Sequence, residues 1–283
     1  MLTISPKDTP QNIFHGYMVG AVAPRPVCFA STIDENEQPN LSPFSFFNIF
    51  GSNPPIAVFS PARSGRTMET KHTHQNVLKV PEVVINVVSY NMVQQMSLSS
   101  AEYPKEVNEF VKSGFTPIAS EKVKPFRVKE SPVQLECKVL EVKETGKGGG
   151  AGNLIICEII LVHINEDILN EEKKIDPNKI DLVGRMGGNW YCRASGSALF
   201  QLPQPGHHLG MGVDSLPASI RNSKVLTGNN LGALGNVTHL PDMQGYVSSA
   251  KYNNEEELHK AAKKLLDDNK VEDAWKLLLA NTK

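Results

Sequence analysis

Two long runs of strand-forming residues on either side of a glycine-rich loop constrain the fold of this chain most strongly. The runs are SPVQLECKVLEVKE (131–144) and NLIICEIILVHI (153–164), and TGKGGGAG (145–152) lies between them. Both runs are rich in valine, isoleucine and leucine, which favour strands, and glycine clusters are typical of the turns between strands. The segment therefore predicts a β-hairpin with a flexible tip.

The same glycine loop also matches a dinucleotide-binding pattern. GKGGGA (146–151) fits the spacing GxGxxG/A, and Glu166 and Asp167 follow about 20 residues later. That fingerprint needs a helix directly after the glycines, because the helix N-terminus holds the pyrophosphate. A β-branched run follows instead, so the sequence favours a hairpin tip over a Rossmann site.

Further strand-like runs precede the hairpin at irregular intervals. They are PVCFASTI (26–33), LSPFSFFNIFG (41–51), PPIAVFSP (54–61) and EVVINVVS (82–89). Only short helices are expected between them, near Lys71 and before a stop at Gly114. Six or more strands without long alternating helices argue against a parallel sheet. The sequence predicts a mainly β protein with short helices, built as an antiparallel barrel or sandwich.

The composition changes near residue 205, which divides the chain into two predicted parts. Residues 1–205 form the β domain, and residues 206–283 form a C-terminal extension. Residues 206–250 are rich in Gly, Asn, Ser and Pro, which predicts extended wrapping or a partly ordered linker. Residues 251–283 predict an amphipathic helix or helix pair that either packs on the protein's own surface or docks a partner.

Overall composition excludes several classes of function. Net charge is −1 across 283 residues, so there is no basic excess for nucleic acid. No run of about 18 apolar residues predicts a membrane span, and the first residues do not resemble a secretory signal. The four cysteines are far apart and predict buried or half-buried free thiols in a reducing compartment. We expect a cytoplasmic protein that binds neither nucleic acid nor membrane.

An uncharged segment, PNLSPFSFFNIFGSNPPIAVFS (39–60), suggests a binding wall. If residues 41–47 form a strand edge with a kink near Pro43, their backbone groups can pair with a planar heteroaromatic ring. Ser42 and Ser45 would supply hydroxyls. Apolar walls or stacking faces would come from Phe44, Phe46 and Phe47. The alternative is that these phenylalanines belong to the core, as we expect for at least two of them.

The segment SPARSGRTMETKHT (60–73) follows directly and is basic. Arg63, Arg66 and Lys71 occur here with short hydroxyl side chains, a combination suited to a terminal phosphate. The alternative is an ordinary solvated loop. A planar ring that carries a phosphate would bridge the wall and this loop, as FMN would. On a strand, His72 and His74 would share a face and could bind a metal, but no third ligand occurs at a recognisable spacing.

Four of these segments, in order, resemble the flavin reductase-like, FMN-binding split-barrel family, which includes flavin reductases and flavoredoxin. APRPVCFASTIDENEQPNLSPFSFFNIFGSNPPIAVFS resembles the family's arginine–proline strand, hairpin and serine-containing segment. KHTHQNVLKVPEVVINVV resembles its lysine–acid–threonine motif, although His72 stands where an acid is common. SPVQLECKVLEV and LVGRMGGNWYCR resemble later segments, and the resemblance extends from about Tyr17 to about Pro205.

The resemblance implies an antiparallel split β-barrel that forms a homodimer, with FMN near the subunit interface. It places the flavin ring and ribityl chain against Ser42, Ser45, Phe46, Phe47 and Asn48, with Arg25 close by. It places the phosphate among Ser60, Arg63, Arg66, Lys71 and Thr73.

The resemblance also implies an activity. The chain would be a flavin reductase-like oxidoreductase that takes hydride from NADH or NADPH, and no side chain is assigned as a catalytic residue because FMN carries the chemistry. The alternative is a non-enzymatic FMN electron carrier that exchanges electrons with a partner protein. The sequence does not distinguish the two.

Overall fold

The predicted hairpin forms the centre of a seven-stranded antiparallel sheet in the computed structural model, which describes residues 1–203, 208–246 and 251–281. The strands are β2 (Cys28–Ile33), β3 (Pro39–Phe44), β4 (Phe47–Ser52), β5 (Pro55–Phe59), β6 (Glu82–Val87), β9 (Val133–Glu144) and β10 (Asn153–Ile164). Their order in the sheet is β3-β2-β6-β9-β10-β5-β4.

The connection between β3 and β4 shows why this sheet curls. These strands are the two edges of the sheet, yet only Ser45 and Phe46 separate them in the chain. Three Cα–Cα steps span at most roughly 11 Å, whereas a flat sheet of seven strands is about 29 Å wide. The two edges must therefore approach each other at this end. The sheet does not close, and the predicted antiparallel split barrel is confirmed.

One detail of the prediction was wrong. The run LSPFSFFNIFG was expected to be a single strand kinked near Pro43, but it forms two strands, β3 and β4. The break falls at Ser45–Phe46 and not at Pro43. Pro43 lies within β3, which is an edge strand, and an edge strand tolerates a missing backbone N–H.

Strand β2 is buried along its whole length because it separates two apolar clusters. Cys28 and Ala30 pack with Phe59 and Ile155 in the barrel interior. Phe29 packs on the other face with Met96 and Phe110. Cys28, Cys137 and Cys157 are buried, Cys192 is half-buried and all four are free thiols, as predicted.

Smaller elements surround the sheet. A three-stranded sheet has the order β1-β11-β12, from β1 (Arg25–Pro26), β11 (Leu182–Arg185) and β12 (Tyr191–Ala194), and β7 (Pro117–Ile118) pairs with β8 (Arg127–Val128). The helices are α1 (Gln11–Ala21), α2 (His72–Lys79), α3 (Val93–Ser99), α4 (Glu109–Ser113) and α5 (Pro177–Ile180). Gly114 ends α4 in the left-handed conformation, at φ 69°, as the predicted stop requires.

A second compact unit begins after Phe200 and has its own helices and core. Its helices are α6 (Ala218–Arg221), α7 (Gly228–Gly235), α8 (Glu255–Asp267) and α9 (Val271–Asn281). The domain boundary predicted between residues 205 and 206 lies outside the described residues. No helix in the described ranges is long and apolar enough to cross a membrane.

The prediction of an irregular segment over residues 206–250 was partly wrong, because α6 and α7 lie within it. A capping box between Thr227 and Asn230 starts α7 despite its glycines and asparagines. Leu216, Ile220 and Leu234 are buried in the core of this unit. Capping and burial therefore override the low helix propensity of the segment.

Candidate functional site

A cavity of about 350 Å³ lies between edge strand β3, the loop before α2 and the loop after α3. The segment after β5 and the segment after α3 both contribute polar side chains, while β3 contributes Ser42 and Phe44. The lining residues are Ser42, Pro43, Phe44, Ser64, Thr67, Glu69, Thr70, Lys71, His72, Ser99, Ser100, Ala101, Glu102, Tyr103, Pro104 and Glu109. The volume falls within the range of small-molecule sites.

The break between β3 and β4 carries free backbone donors. In the described part of the chain, the N–H groups of Ser45 and Phe46 donate to no acceptor, whereas Phe46 O accepts from Ser60 N at 2.9 Å. Phe46 is 44% exposed, while Phe47 packs against the core. Two adjacent unpaired donors beside an exposed aromatic ring can hydrogen-bond to the edge of a heteroaromatic ligand.

Two cations at the cavity share a single carboxylate. Glu102 accepts from Lys71 Nζ at 2.9 Å through Oε1 and from Arg66 Nη2 at 3.1 Å through Oε2. The hydrogen bond from Lys71 is the largest of the effects that lower the pKa of Glu102, with Arg66 adding to it, so the group is ionised at neutral pH. A carboxylate bound to two cations shows that this position accommodates an anion.

The third cation of the loop has a different role, because Arg63 joins the loop to the tip of the β9–β10 hairpin. Its backbone N donates to Ala151 O at 2.9 Å, and its backbone O accepts from Gly150 N at 3.0 Å. A side chain added at Gly149 would place its Cβ only 3.0 Å from Gly65 O. Loop and tip are therefore packed backbone against backbone.

A buried hydrogen-bond network supports the cavity from β3 and α2. Thr73 Oγ1 donates to Asn40 Oδ1 at 2.9 Å, and Asn40 Nδ2 donates to Glu109 Oε1 at 2.9 Å. Glu109 also accepts from Leu41 N at 3.1 Å. Burial is the largest effect on Glu109 and raises its pKa. The network fixes β3 relative to the starts of α2 and α4.

The side chains of His72 and His74 lie in different surroundings. His72 lines the cavity, whereas His74 is buried with its Nε2 3.4 Å from Glu144 Oε1. Burial lowers the pKa of His74; the charge of Glu144 opposes this shift, and the charge of Arg63 adds to it. Residues two apart on a helix face different directions, so these histidines do not form the shared face that a strand would have given them.

The predicted site residues are thus only partly brought together. Ser42 and Lys71 line the cavity. Arg66 lies outside the lining and reaches the cavity through Glu102, and Ser45 to Asn48 also lie outside it, where the chain passes from β3 into β4. The other four predicted residues lie elsewhere. Thr73 is fully buried against Asn40, Ser60 is buried beside Gly152, Arg63 contacts Glu144 at 3.3 Å, and Arg25 donates to backbone carbonyls and lies 5.7 Å from the centre of the Phe46 ring.

Sequence reasoning missed the segment after α3. Ser100 to Pro104, with Ser99 at the end of α3, contribute a large part of the lining, and Glu102 is the only carboxylate in the described residues that pairs with Arg66 or Lys71. Glu102 lies 31 residues after Lys71, so no local spacing connects the two. The one available signal was a surplus of small polar residues in SLSSAEYP.

A family model described as "Flavin reductase like domain" matches residues 20–179. An uncharacterized protein of Aquifex aeolicus is 36% identical over 191 residues, which is 67% of this chain and 94% of the relative.

Solved structures share the fold. Component B of nitrilotriacetate monooxygenase from Bacillus cereus is similar with a TM-score of 0.66 and 26% identity, covering 71% of this chain and 98% of that one. A split-barrel-domain protein from Shewanella frigidimarina has a TM-score of 0.61 and 25% identity, covering 72% of this chain and all of that one.

Proposed function

Because the chain belongs to the flavin reductase-like family, we propose that it is an FMN-binding oxidoreductase of the cytoplasm that accepts hydride from NADH or NADPH. Bound FMN would supply the hydride- and electron-transfer chemistry. The protein's own residues bind the cofactor, orient it and tune its electrostatics. The four free thiols support a reducing compartment.

The observation that carries this proposal is the pairing of Arg66 and Lys71 on one carboxylate at the cavity. A terminal phosphate offers the same kind of oxyanion with more charge and more acceptor oxygens. It would displace Glu102 and take both cations. Ser64 and Thr67 also line the cavity, so their hydroxyls would lie in the same cavity as the phosphate.

The wall beside the cavity fits the ring of the same cofactor. Ser42 and Phe44 line the cavity, and the unpaired N–H groups of Ser45 and Phe46 follow next along the chain. Donors held in place near the flavin would stabilise negative charge on its reduced form. This assignment needs no acidic or basic side chain as a proton donor.

The visible spectrum of the purified protein, with FMN added if it is colourless, tests the proposal. We expect about one tightly bound FMN per chain, and rapid bleaching of the flavin after mixing with NADH or NADPH in a stopped-flow instrument, because a flavin accepts hydride from a nicotinamide. Absence of FMN binding would refute the proposal. Tight binding without bleaching by either nucleotide would instead identify an electron carrier.

We also propose that the protein works as a homodimer, because large apolar side chains are exposed on edge strand β4 and on α1. On β4, Ile49 is 47% and Phe50 is 69% exposed. Helix α1 buries none of its residues, although it carries Ile13 and Tyr17. An unpaired apolar edge and an apolar helix together are suited to a second copy of the same chain.

Replacing Phe50 with aspartate is therefore expected to convert a dimer into a monomer, since a buried unpaired charge is costly. Light scattering coupled to size exclusion gives the mass directly. Val111→Asp on α4 is the matched control, because Val111 is 75% exposed and lies outside this surface. A monomeric wild type, or equal dissociation of both variants, would contradict the proposed interface.

A further inference from the structure

Two arginines lie side by side where β1 pairs with β11. Arg25 and Arg185 are register partners in this antiparallel pair. Arg25 is buried, with 9% of its surface exposed, and Arg185 is half-buried. Burial and then the charge of Arg185 lower the pKa of Arg25. The two like charges therefore repel each other, and an anion near them would relieve this repulsion.

Arg25 satisfies only part of its hydrogen-bonding capacity. Its Nη1 donates to Val19 O and Val22 O, both at 2.6 Å, and its Nη2 donates to Met186 O at 3.0 Å. These acceptors are neutral carbonyls, so the charge itself has no ionic partner among them. The Nε–H of Arg25 is buried and donates to no acceptor in the described residues. Such an unpaired buried donor is costly unless a ligand completes it.

Arg185 contrasts with a neighbouring arginine on the same small sheet. Arg193 forms a two-pronged pair with Asp181, with both N–O distances 2.7 Å, while it lies 4.0 Å from the centre of the Tyr90 ring. Arg185 lies over the Tyr191 ring at 4.6 Å, but no carboxylate pairs with it in the described part of the chain. The structure therefore provides a counter-ion for one arginine and leaves the other without one.

An aromatic ring lies against each of the two arginines. Arg25 lies over the Phe46 ring at 5.7 Å, and Arg185 lies over Tyr191. Trp190, next to Tyr191, is 77% exposed. Phe46 belongs to the break between β3 and β4, so this cluster borders the wall assigned to the flavin ring. It is separate from the cations at the cavity, Arg66 and Lys71.

We propose that Arg25 and Arg185 form a second anion-binding site, which takes the phosphate or carboxylate of the aromatic molecule that exchanges electrons with the flavin. This inference rests on the proposed function for its position beside the flavin. An oxyanion would neutralise the arginine pair and accept from the unpaired Nε–H of Arg25, while the exposed aromatic rings would contact an aromatic part of the same molecule.

Calorimetric titration of the FMN-saturated protein tests the site with two probes, NAD⁺ and benzoate. We expect one of them to bind and Arg185→Gln to weaken that binding at least about tenfold, because a charge-assisted contact is lost. Binding of NAD⁺ would identify dinucleotide phosphates as the source of the anion, and binding of benzoate would identify a substrate carboxylate. Arg185→Lys, which keeps the charge, is expected to bind with intermediate affinity.

Arg193→Gln is the matched control and is expected to leave probe binding unchanged, since Arg193 is already paired. FMN affinity should be equal in the wild type and both variants. Three results would overturn the inference. They are failure of both probes to bind, equal binding by the wild type and Arg185→Gln, and a loss of FMN affinity in Arg185→Gln. If the wild type binds no FMN, the proposed function fails, and titration without flavin still tests the site: binding must then be lost in Arg185→Gln and retained in Lys71→Gln.

Discussion

Replacing Arg66 and Lys71 together with alanine is expected to weaken FMN binding by about a hundredfold. Each side chain would contribute one charge-assisted contact to the phosphate, at the lower end of 1.5–3 kcal/mol because Arg66 is largely exposed and Lys71 partly exposed, so that solvent screens both charges. About 1.4 kcal/mol corresponds to a factor of ten in affinity, so two contacts give a factor of about one hundred. Quenching of flavin fluorescence during titration measures the dissociation constant directly.

Riboflavin, which lacks the phosphate, is the control ligand, and its affinity should be unchanged in the double variant. A matched variant, Glu102→Gln, should act in the opposite direction. It removes the charge that competes for both cations, so FMN should bind several-fold more tightly while riboflavin is unaffected. Equal FMN affinity in the wild type and the double variant would show that the phosphate binds elsewhere. Weaker FMN binding by Glu102→Gln would show that this carboxylate positions the cations instead of competing.

Replacing Trp275 with alanine is expected to destabilise the C-terminal unit by about 3–5 kcal/mol, as for other large aromatic side chains removed from cores. Trp275 is fully buried among the leucines of α8 and α9, and its Nε1 donates to Leu234 O at 3.1 Å. The loss removes both packing and a buried hydrogen bond to α7. Since whole domains are stable by only about 5–15 kcal/mol, this unit should be largely unfolded at moderate temperature.

Limited proteolysis, and thermal unfolding monitored by circular dichroism, measure the loss of stability. FMN affinity shows whether the β domain is also destabilised. The apolar core of the C-terminal unit shares no residue with the two clusters around the sheet. FMN affinity is therefore expected to stay at the wild-type value. Trp190→Ala, which removes the exposed tryptophan, is the stability control. Loss of FMN binding in Trp275→Ala would contradict the expectation that the two cores are independent.

The fold could be predicted from the sequence where local pattern and burial agree. The two runs around residues 145–152 and the run EVVINVVS form strands because each is rich in β-branched or other strand-forming residues and contributes buried positions to the sheet. The curvature could not be predicted in this way. It depends on β3 and β4 being opposite edges joined by two residues, and edge positions follow from the pairing of all seven strands.

The site was predictable only where its residues are close in sequence. Lys71 and Arg66 lie in one basic loop, whereas Glu102 reaches them from the segment after α3. Thr73 shows that closeness in sequence is not sufficient either. It follows Lys71 by two residues, but the start of α2 turns it into the interior, where Asn40 accepts its hydrogen bond. A motif gives residue types and spacing, while helical geometry decides which side chains reach the cavity.

The contact between the β9–β10 hairpin tip and the basic loop limits the insertions and deletions that this chain can tolerate, both in engineered variants and during evolution. Glycine-rich hairpin tips are usual places for inserting a tag or tolerating an extra residue. Here Gly149 leaves no space for a side chain against Gly65, and Gly150 and Ala151 bond to the backbone of Arg63. A longer tip would displace the loop that carries Arg66. Length changes in the two segments must therefore occur together.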